Sequence, residues 1–207
     1  MKAKPIIALI VTLGLWTVFS AFSVNEGGYN VGDKIEGFKL KNVDGQMVSL
    51  ADYPKAKGFI IVFTCNTCPY AKLYEQRIND LNKEYASKGF PVIAINPNDV
   101  SQQPGDSFAA MQQRAKDKNY SFPYLHDESQ KVTKAFGAEK TPHVYIVKKQ
   151  NGSMRVAYIG TIDNSPNNAA QANKFYVRDA VDALLAGKEV SKTTTKAIGC
   201  TIKWKNS

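Results

Sequence analysis

The chain has 207 residues and carries 27 lysines and arginines against 18 aspartates and glutamates, a formal net charge of +9. Its length suits one domain with a substantial core once an N-terminal leader is set aside. The basic excess does not point to nucleic acid. Lys2 and Lys4 fall in that leader, while Lys188, Lys192, Lys196, Lys203 and Lys205 are spaced along the tail. No basic run is interleaved with exposed aromatics, so the charge reads as a solvated basic face and no nucleic-acid partner is expected.

The first element is the leader. Lys2 and Lys4 form a positive n-region, residues 6–19 an apolar core, and Ala21-Phe22-Ser23 a small-x-small cleavage site. This is the pattern of a signal peptide over 1–23. An uncleaved membrane anchor is the alternative, because the apolar stretch lies near the lower limit for a span. Either way the body of the protein is expected in an exported, extracytoplasmic or periplasmic space, where disulfides persist. Residues 24–187 then form the domain, and 188–207 a lysine- and threonine-rich C-terminal extension.

Phe38-Lys39-Leu40-Lys41 and Met47-Val48-Ser49-Leu50 flank an Asp44-Gly45 turn, which predicts an N-terminal β-hairpin. Gly58 to Phe63 is β-branched and aromatic, as a fully buried strand requires. Tyr70 to Lys88 follows as a helix, with Leu73, Ile78, Leu81 and Tyr85 at near-helical spacing. Phe90 to Ile95 is a second buried strand, and the strand–helix–strand order implies a right-handed parallel crossover. A polar loop from Asn96 to Gly105 leads to a helix near Ser107 to Lys118, and Ser129 to Phe136 is a short helix closed by Gly137. Val144 to Val147 and Met154 to Ile159 are antiparallel strands joined by Gln150-Asn151-Gly152, and Ala169 to Leu185 is the last helix. The sum is an α/β fold with a central mixed sheet flanked by helices.

The chemistry concentrates where the Gly58–Phe63 strand meets its helix. Cys65 and Cys68 stand two residues apart at that junction. A helix N-terminus leaves amide N–H groups unpaired and carries positive partial charge, so a thiolate there is stabilised. Cys65 is therefore expected to titrate below a free cysteine and to act as the attacking thiol. Cys68, one turn further in, is expected to resolve the mixed disulfide. Pro69 fits the first turn, where a missing N–H costs nothing. A zinc site needs more ligands than one Cys-x-x-Cys offers, and only Cys200, His126 and His143 remain to complete it. A c-type haem needs histidine where Pro69 stands. No cofactor and no metal are expected. Cys200 is the odd third thiol; it reads as a small buried hydrophobe, with a second resolving thiol as the alternative.

A series of segments then resembles one family. Phe63-Thr64-Cys65-Asn66-Thr67-Cys68-Pro69-Tyr70, Ile95-Asn96-Pro97-Asn98-Asp99, Phe122 to Glu128, Lys140-Thr141-Pro142 and the closing Gly199 to Trp204 occur in order. Together they resemble the peroxiredoxin-like (redoxin) branch of the thioredoxin superfamily, related to alkyl hydroperoxide reductase and thiol-specific antioxidant. The resemblance implies a thioredoxin-like fold. It implies a cis Pro142 beside the active cysteines, with Thr141 offering its backbone to an incoming peptide or thiol. It implies a thiol–disulfide oxidoreductase acting on protein or small-molecule disulfides, recycled by a separate redox partner. Two alternatives stay open. A thiol-dependent peroxidase would use a threonine three residues before its cysteine, where Val62 stands before Cys65. A copper-handling protein of the same fold would separate its two cysteines by three residues rather than two. The acid that thioredoxins bury on the preceding strand is replaced here by Phe59.

Overall fold

The computed structural model describes residues 27–206. The leader expected over 1–23 lies outside them. Strands β1 (Lys39–Asn42) and β2 (Met47–Ser49) form the hairpin, with Lys39 opposite Ser49 and Gly45 at φ +87° in the turn. β3 (Gly58–Phe63) is buried at every position. It lies parallel to β4 (Val92–Asn96) and antiparallel to β7 (His143–Gln150). With β5 (Tyr124–His126) and β8 (Ser153–Gly160), the strands make one mixed sheet in the order β2-β1-β5-β4-β3-β7-β8. A second, two-stranded sheet pairs β6 (Lys140–Thr141) with β9 (Cys200–Thr201).

Period-2 alternation splits the sheet's side chains between two cores. On one face Ile60, Val62, Val92, Ala94, Val144 and Ile146 meet α1 (Pro69–Tyr85), α2 (Phe108–Asp117) and α4 (Tyr176–Leu185). On the other, Phe59, Ile61, Phe63, Ile93, Tyr145 and Val147 meet Phe136 of α3 (Lys131–Phe136), Ile35, Leu50 and the tail residue Ile202. The thioredoxin-like α/β architecture expected from the sequence is the one the chain adopts.

Two local expectations change. In α1 the buried stripe runs through Tyr74, Ile78, Leu81 and Tyr85, while Leu73 is 48% exposed. Tyr74 takes the inward position because its hydroxyl has a partner, Asp163 Oδ1, at 3.0 Å. The last helix does not begin at Ala169. Residues 169–171 make one tight turn, and α4 starts at Tyr176. Asn164 holds the intervening chain out of helical form: its Oδ1 accepts from the N–H groups of Asn173 and Lys174, each at 3.0 Å.

α1 is fastened at two buried acids. Glu75 accepts from Arg114 Nε at 2.6 Å and Nη2 at 2.9 Å, tying α2 to α1. Asp163, after β8, accepts from Arg77 Nη1 at 2.7 Å. The segment after Gly187 also packs onto the domain. Thr193 and Thr195 exchange backbone hydrogen bonds with Ile159, and Ile202 N–H donates to Glu139 O at 3.1 Å.

Candidate active site

β3 delivers Cys65 to the edge of the sheet and α1 begins at Pro69, so residues 65–68 form the turn between them. Cys68 is the N-cap of α1, with extended φ −65° and ψ 125°, and Pro69 occupies the first turn as its missing N–H allows. The turn is held by Asp106, a fully buried carboxylate from the loop after β4. Its Oδ1 accepts from Asn66 N–H at 2.6 Å, and its Oδ2 from Thr67 Oγ1 at 2.8 Å and Asn98 Nδ2 at 2.7 Å. Tyr124 OH donates to Asn66 Oδ1 at 2.9 Å from the opposite side. A buried acid thus stands beside the thiols after all, supplied by a loop rather than by β3.

The Thr141–Pro142 peptide is cis. Thr141 is fully buried, its Oγ1 lies 3.2 Å from Cys65 Sγ, and its carbonyl oxygen lies 3.1 Å from Cys68 Sγ. The two sequence-predicted pairs, Cys65 with Cys68 and Thr141 with Pro142, therefore meet in one place.

The third thiol joins them. Cys200 is disulfide-bonded to Cys68 across 132 positions, with Cα atoms 5.9 Å apart, and Cys65 is the free cysteine. This corrects two expectations: the bridge is not Cys65–Cys68, and Cys200 is not a lone buried hydrophobe. The cause is β9, which pairs antiparallel with β6 and sets Cys200 opposite Thr141. A strand of two residues, formed against a partner some sixty positions away, leaves no periodic trace in the sequence.

The Cys65 thiol also departs from expectation, being raised rather than lowered. Burial is the largest cause, since the side chain is 3% exposed, and the Asp106 charge adds to it. The Thr141 hydroxyl and the backbone N–H groups of Cys68 and Thr67 act the other way, as a helix start should, but they do not prevail. In the bridged protein Cys65 is the single free thiol, so 13Cβ-cysteine NMR against pH reads it directly. It is expected to titrate above the ordinary value of about 8.5. Asp106→Asn, which removes the charge, is expected to lower it. A wild-type value below 8.5, or an unmoved midpoint in the variant, contradicts this account.

The histidines stand apart. His143 pairs across β3 with Phe63, packs on the Tyr145 ring at 4.9 Å and accepts weakly from Glu139 N–H at 3.5 Å. Burial lowers its pKa to about 4, so it stays neutral at ordinary pH. His126 ends β5, near the Phe108 ring, and burial lowers its pKa as well. Among the described residues no three His, Cys, Asp or Glu side chains converge as a metal site.

Comparison with known proteins gives consistent matches. The AhpC/TSA family model matches residues 31–159. The thiol-disulfide oxidoreductase ResA of Geobacillus thermodenitrificans is 24% identical over 162 residues, which cover 78% of this chain and 87% of that protein. The crystal structure of an uncharacterized conserved protein from Geobacillus kaustophilus is 39% identical with a TM-score of 0.79, covering 86% of this chain and 94% of that one. A hypothetical protein from Sinorhizobium meliloti 1021 is 32% identical with a TM-score of 0.80, covering 87% and 97%.

Proposed function

The chain belongs to the AhpC/TSA family, and from that premise we propose an exported thiol–disulfide oxidoreductase whose three cysteines pass one disulfide between them. The observation that carries the reading is the cluster itself: a free Cys65 beside a Cys68–Cys200 bridge, all three against Thr141. In the reduced protein Cys65, as thiolate, attacks a substrate disulfide and expels one substrate thiol. Cys68 then attacks Cys65 Sγ, expels the second substrate thiol and closes Cys65–Cys68. Cys200, as thiolate, attacks Cys68 Sγ, and Cys65 leaves and takes up a proton. The substrate gains two electrons and the protein retains one bridge, Cys68–Cys200. A dithiol partner restores the three thiols.

Peroxide chemistry fits the site less well. A thiol-dependent peroxidase would use a threonine three residues before its cysteine, and Val62 stands there before Cys65. Single-turnover oxidation separates the two readings. Reduced protein mixed with a protein disulfide is expected to lose two thiols and to end with Cys68–Cys200 bridged and Cys65 free, read by mass spectrometry. An untouched protein disulfide alongside rapid thiol oxidation by hydrogen peroxide overturns the reading in favour of a peroxidase.

A further inference from the structure

The three cysteines of the bridged protein are not equally open. Cys65 and Cys68 are each 3% exposed. Cys200 is half-buried, between an Ile198 that is 38% exposed and an exposed Thr201. Tyr70 and Cys200 are the partly buried side chains packed over the cluster of Cys65, Cys68 and Ala71. The bridge therefore joins a cysteine inside the molecule to one at its surface. The outer one is held in place. A Cβ on Gly199 would run into the Thr141 carbonyl, so only glycine brings the backbone this near. Upstream, Thr195 N–H donates to Ile159 O at 3.0 Å. Downstream, Lys203 N–H donates to Asn98 Oδ1 at 2.9 Å, and Gln130 Nε2 donates to Lys203 O at 2.8 Å. The tail is fastened on both sides of Cys200, which fixes the side of that residue that meets solvent.

We propose that Cys200 is the sulfur through which electrons enter: the dithiol protein that recharges the site attacks Cys200 Sγ, and neither Cys68 nor Cys65 receives it. This rests on the exchange reading above and deepens it, since that reading leaves the point of reduction open. Exchange follows access, so the sulfur that an outside thiolate can reach is the one attacked. In the bridged protein that sulfur is on Cys200, because Cys65 and Cys68 are both covered. The partner's thiolate bonds to Cys200 Sγ, the Cys68–Cys200 bond breaks, and Cys68 leaves as a thiolate. Burial opposes that thiolate. The start of α1, whose N-cap is Cys68, favours it, and so does the Cys200 N–H, 3.4 Å from Cys68 Sγ. Cys68 then takes a proton and donates to Thr141 O, 3.1 Å away. The partner's second thiolate attacks the partner's own sulfur in the mixed disulfide. It closes the partner's bridge and expels Cys200, which is protonated in turn. The partner loses two electrons and all three cysteines end as thiols. The sulfurs thus work in series, with Cys65 toward the substrate, Cys68 inside and Cys200 toward the reductant.

The test locates the first adduct. Full-length bridged wild type is mixed with 2-mercaptoethanesulfonate, a monothiol with no second thiol to resolve the mixed disulfide it forms. Samples are quenched in acid early in the reaction, free thiols are alkylated, and the adduct is placed by peptide mass spectrometry. It is expected on Cys200, at least about tenfold over Cys65 and Cys68 together. Bridged Cys65→Ser is expected to carry the adduct on Cys200 as well, because entry does not pass through Cys65. Adduct chiefly on Cys68 overturns the proposal. So does adduct chiefly on Cys65 in the wild type, which means that Cys65 opens the bridge from inside before the reductant arrives. A native bridge that yields no adduct, under conditions that modify the urea-unfolded chain, overturns it too. The exchange reading is checked apart, by reduced wild type and a protein disulfide. If that single turnover ends with Cys68–Cys200 bridged while the adduct maps elsewhere, only this inference falls; if it does not, the exchange reading falls and this inference with it.

Discussion

Replacing Cys68 by serine is expected to stop turnover of a protein disulfide, by at least about a thousandfold, and to trap substrate on Cys65. Resolution by Cys68 is intramolecular, and well-placed intramolecular groups act at effective molarities of about 10⁵ M and above. Without it the mixed disulfide waits for an outside thiol. The companion variants divide the labour further. Cys65→Ser is expected to be inactive and to trap nothing. Cys200→Ser is expected to complete a single turnover but to finish with a Cys65–Cys68 bridge, because the last exchange has lost its nucleophile. Mass spectrometry of quenched reactions reads all three. Substrate trapped on Cys200, or near-normal turnover in Cys68→Ser, would require a different order of attack.

A large effect on stability is expected at Arg77, away from the thiols. Its side chain is 14% exposed and that of Asp163 is 3% exposed. Arg77 Nη1 lies 2.9 Å from Oδ1 and 2.7 Å from Oδ2 of Asp163, and also donates to Ser165 O at 2.8 Å. The same guanidinium lies over the Tyr74 ring, 4.2 Å from its centroid. Arg77→Ala leaves the Asp163 carboxylate buried with only Tyr74 OH and Ser165 N–H as donors. Breaking such a pair from one side costs about 3–5 kcal/mol. In a domain of this size that corresponds to a fall in Tm of roughly 6–20 °C. Urea denaturation of wild type, Arg77→Ala and the double variant Arg77→Leu with Asp163→Asn checks it. The double variant is expected to recover part of the loss, since it leaves no buried charge alone. A cost below about 1 kcal/mol for Arg77→Ala would mean that water reaches Asp163 and the pair behaves as a surface one.

What was legible in the sequence was what is local. The β-branched and aromatic run Gly58–Phe63 reads as a buried strand, Cys65 to Pro69 marks a helix start, and Asp44-Gly45 marks a hairpin. Each declares itself within a few residues. Thr141 and Pro142 were reached through the order of family segments rather than through any periodicity. What stayed hidden depends on distant partners. Nothing near Asp106 announces that a loop acid will accept hydrogen bonds from the Asn66 N–H and the Thr67 hydroxyl. The lowered pKa expected for Cys65 followed correctly from the helix start, but burial and the Asp106 charge are tertiary and they outweigh it. The choice of Tyr74 over Leu73 as an inward side chain likewise turns on Asp163, nearly ninety positions away. Cys200 is the clearest case, because its role rests on a two-residue pairing of β9 with β6.

That pairing ties the identity of the bridge to the folding of the tail. In an unfolded chain the ends of a short loop meet far more often than thiols 132 positions apart, so random closure favours Cys65 with Cys68 over Cys68 with Cys200. The pairing of β9 with β6 reverses that preference by holding Cys200 opposite Thr141, beside Cys68. Once closed, a loop of that length restricts the unfolded ensemble by about 5 kcal/mol in the chain-entropy view. By linkage the native bridge is then harder to reduce than the same bridge in an unfolded chain, by about 100 mV. Folding and oxidation are therefore one coupled equilibrium, and a molecule carrying the short bridge gains that restriction only when its tail is seated and Cys200 attacks Cys68.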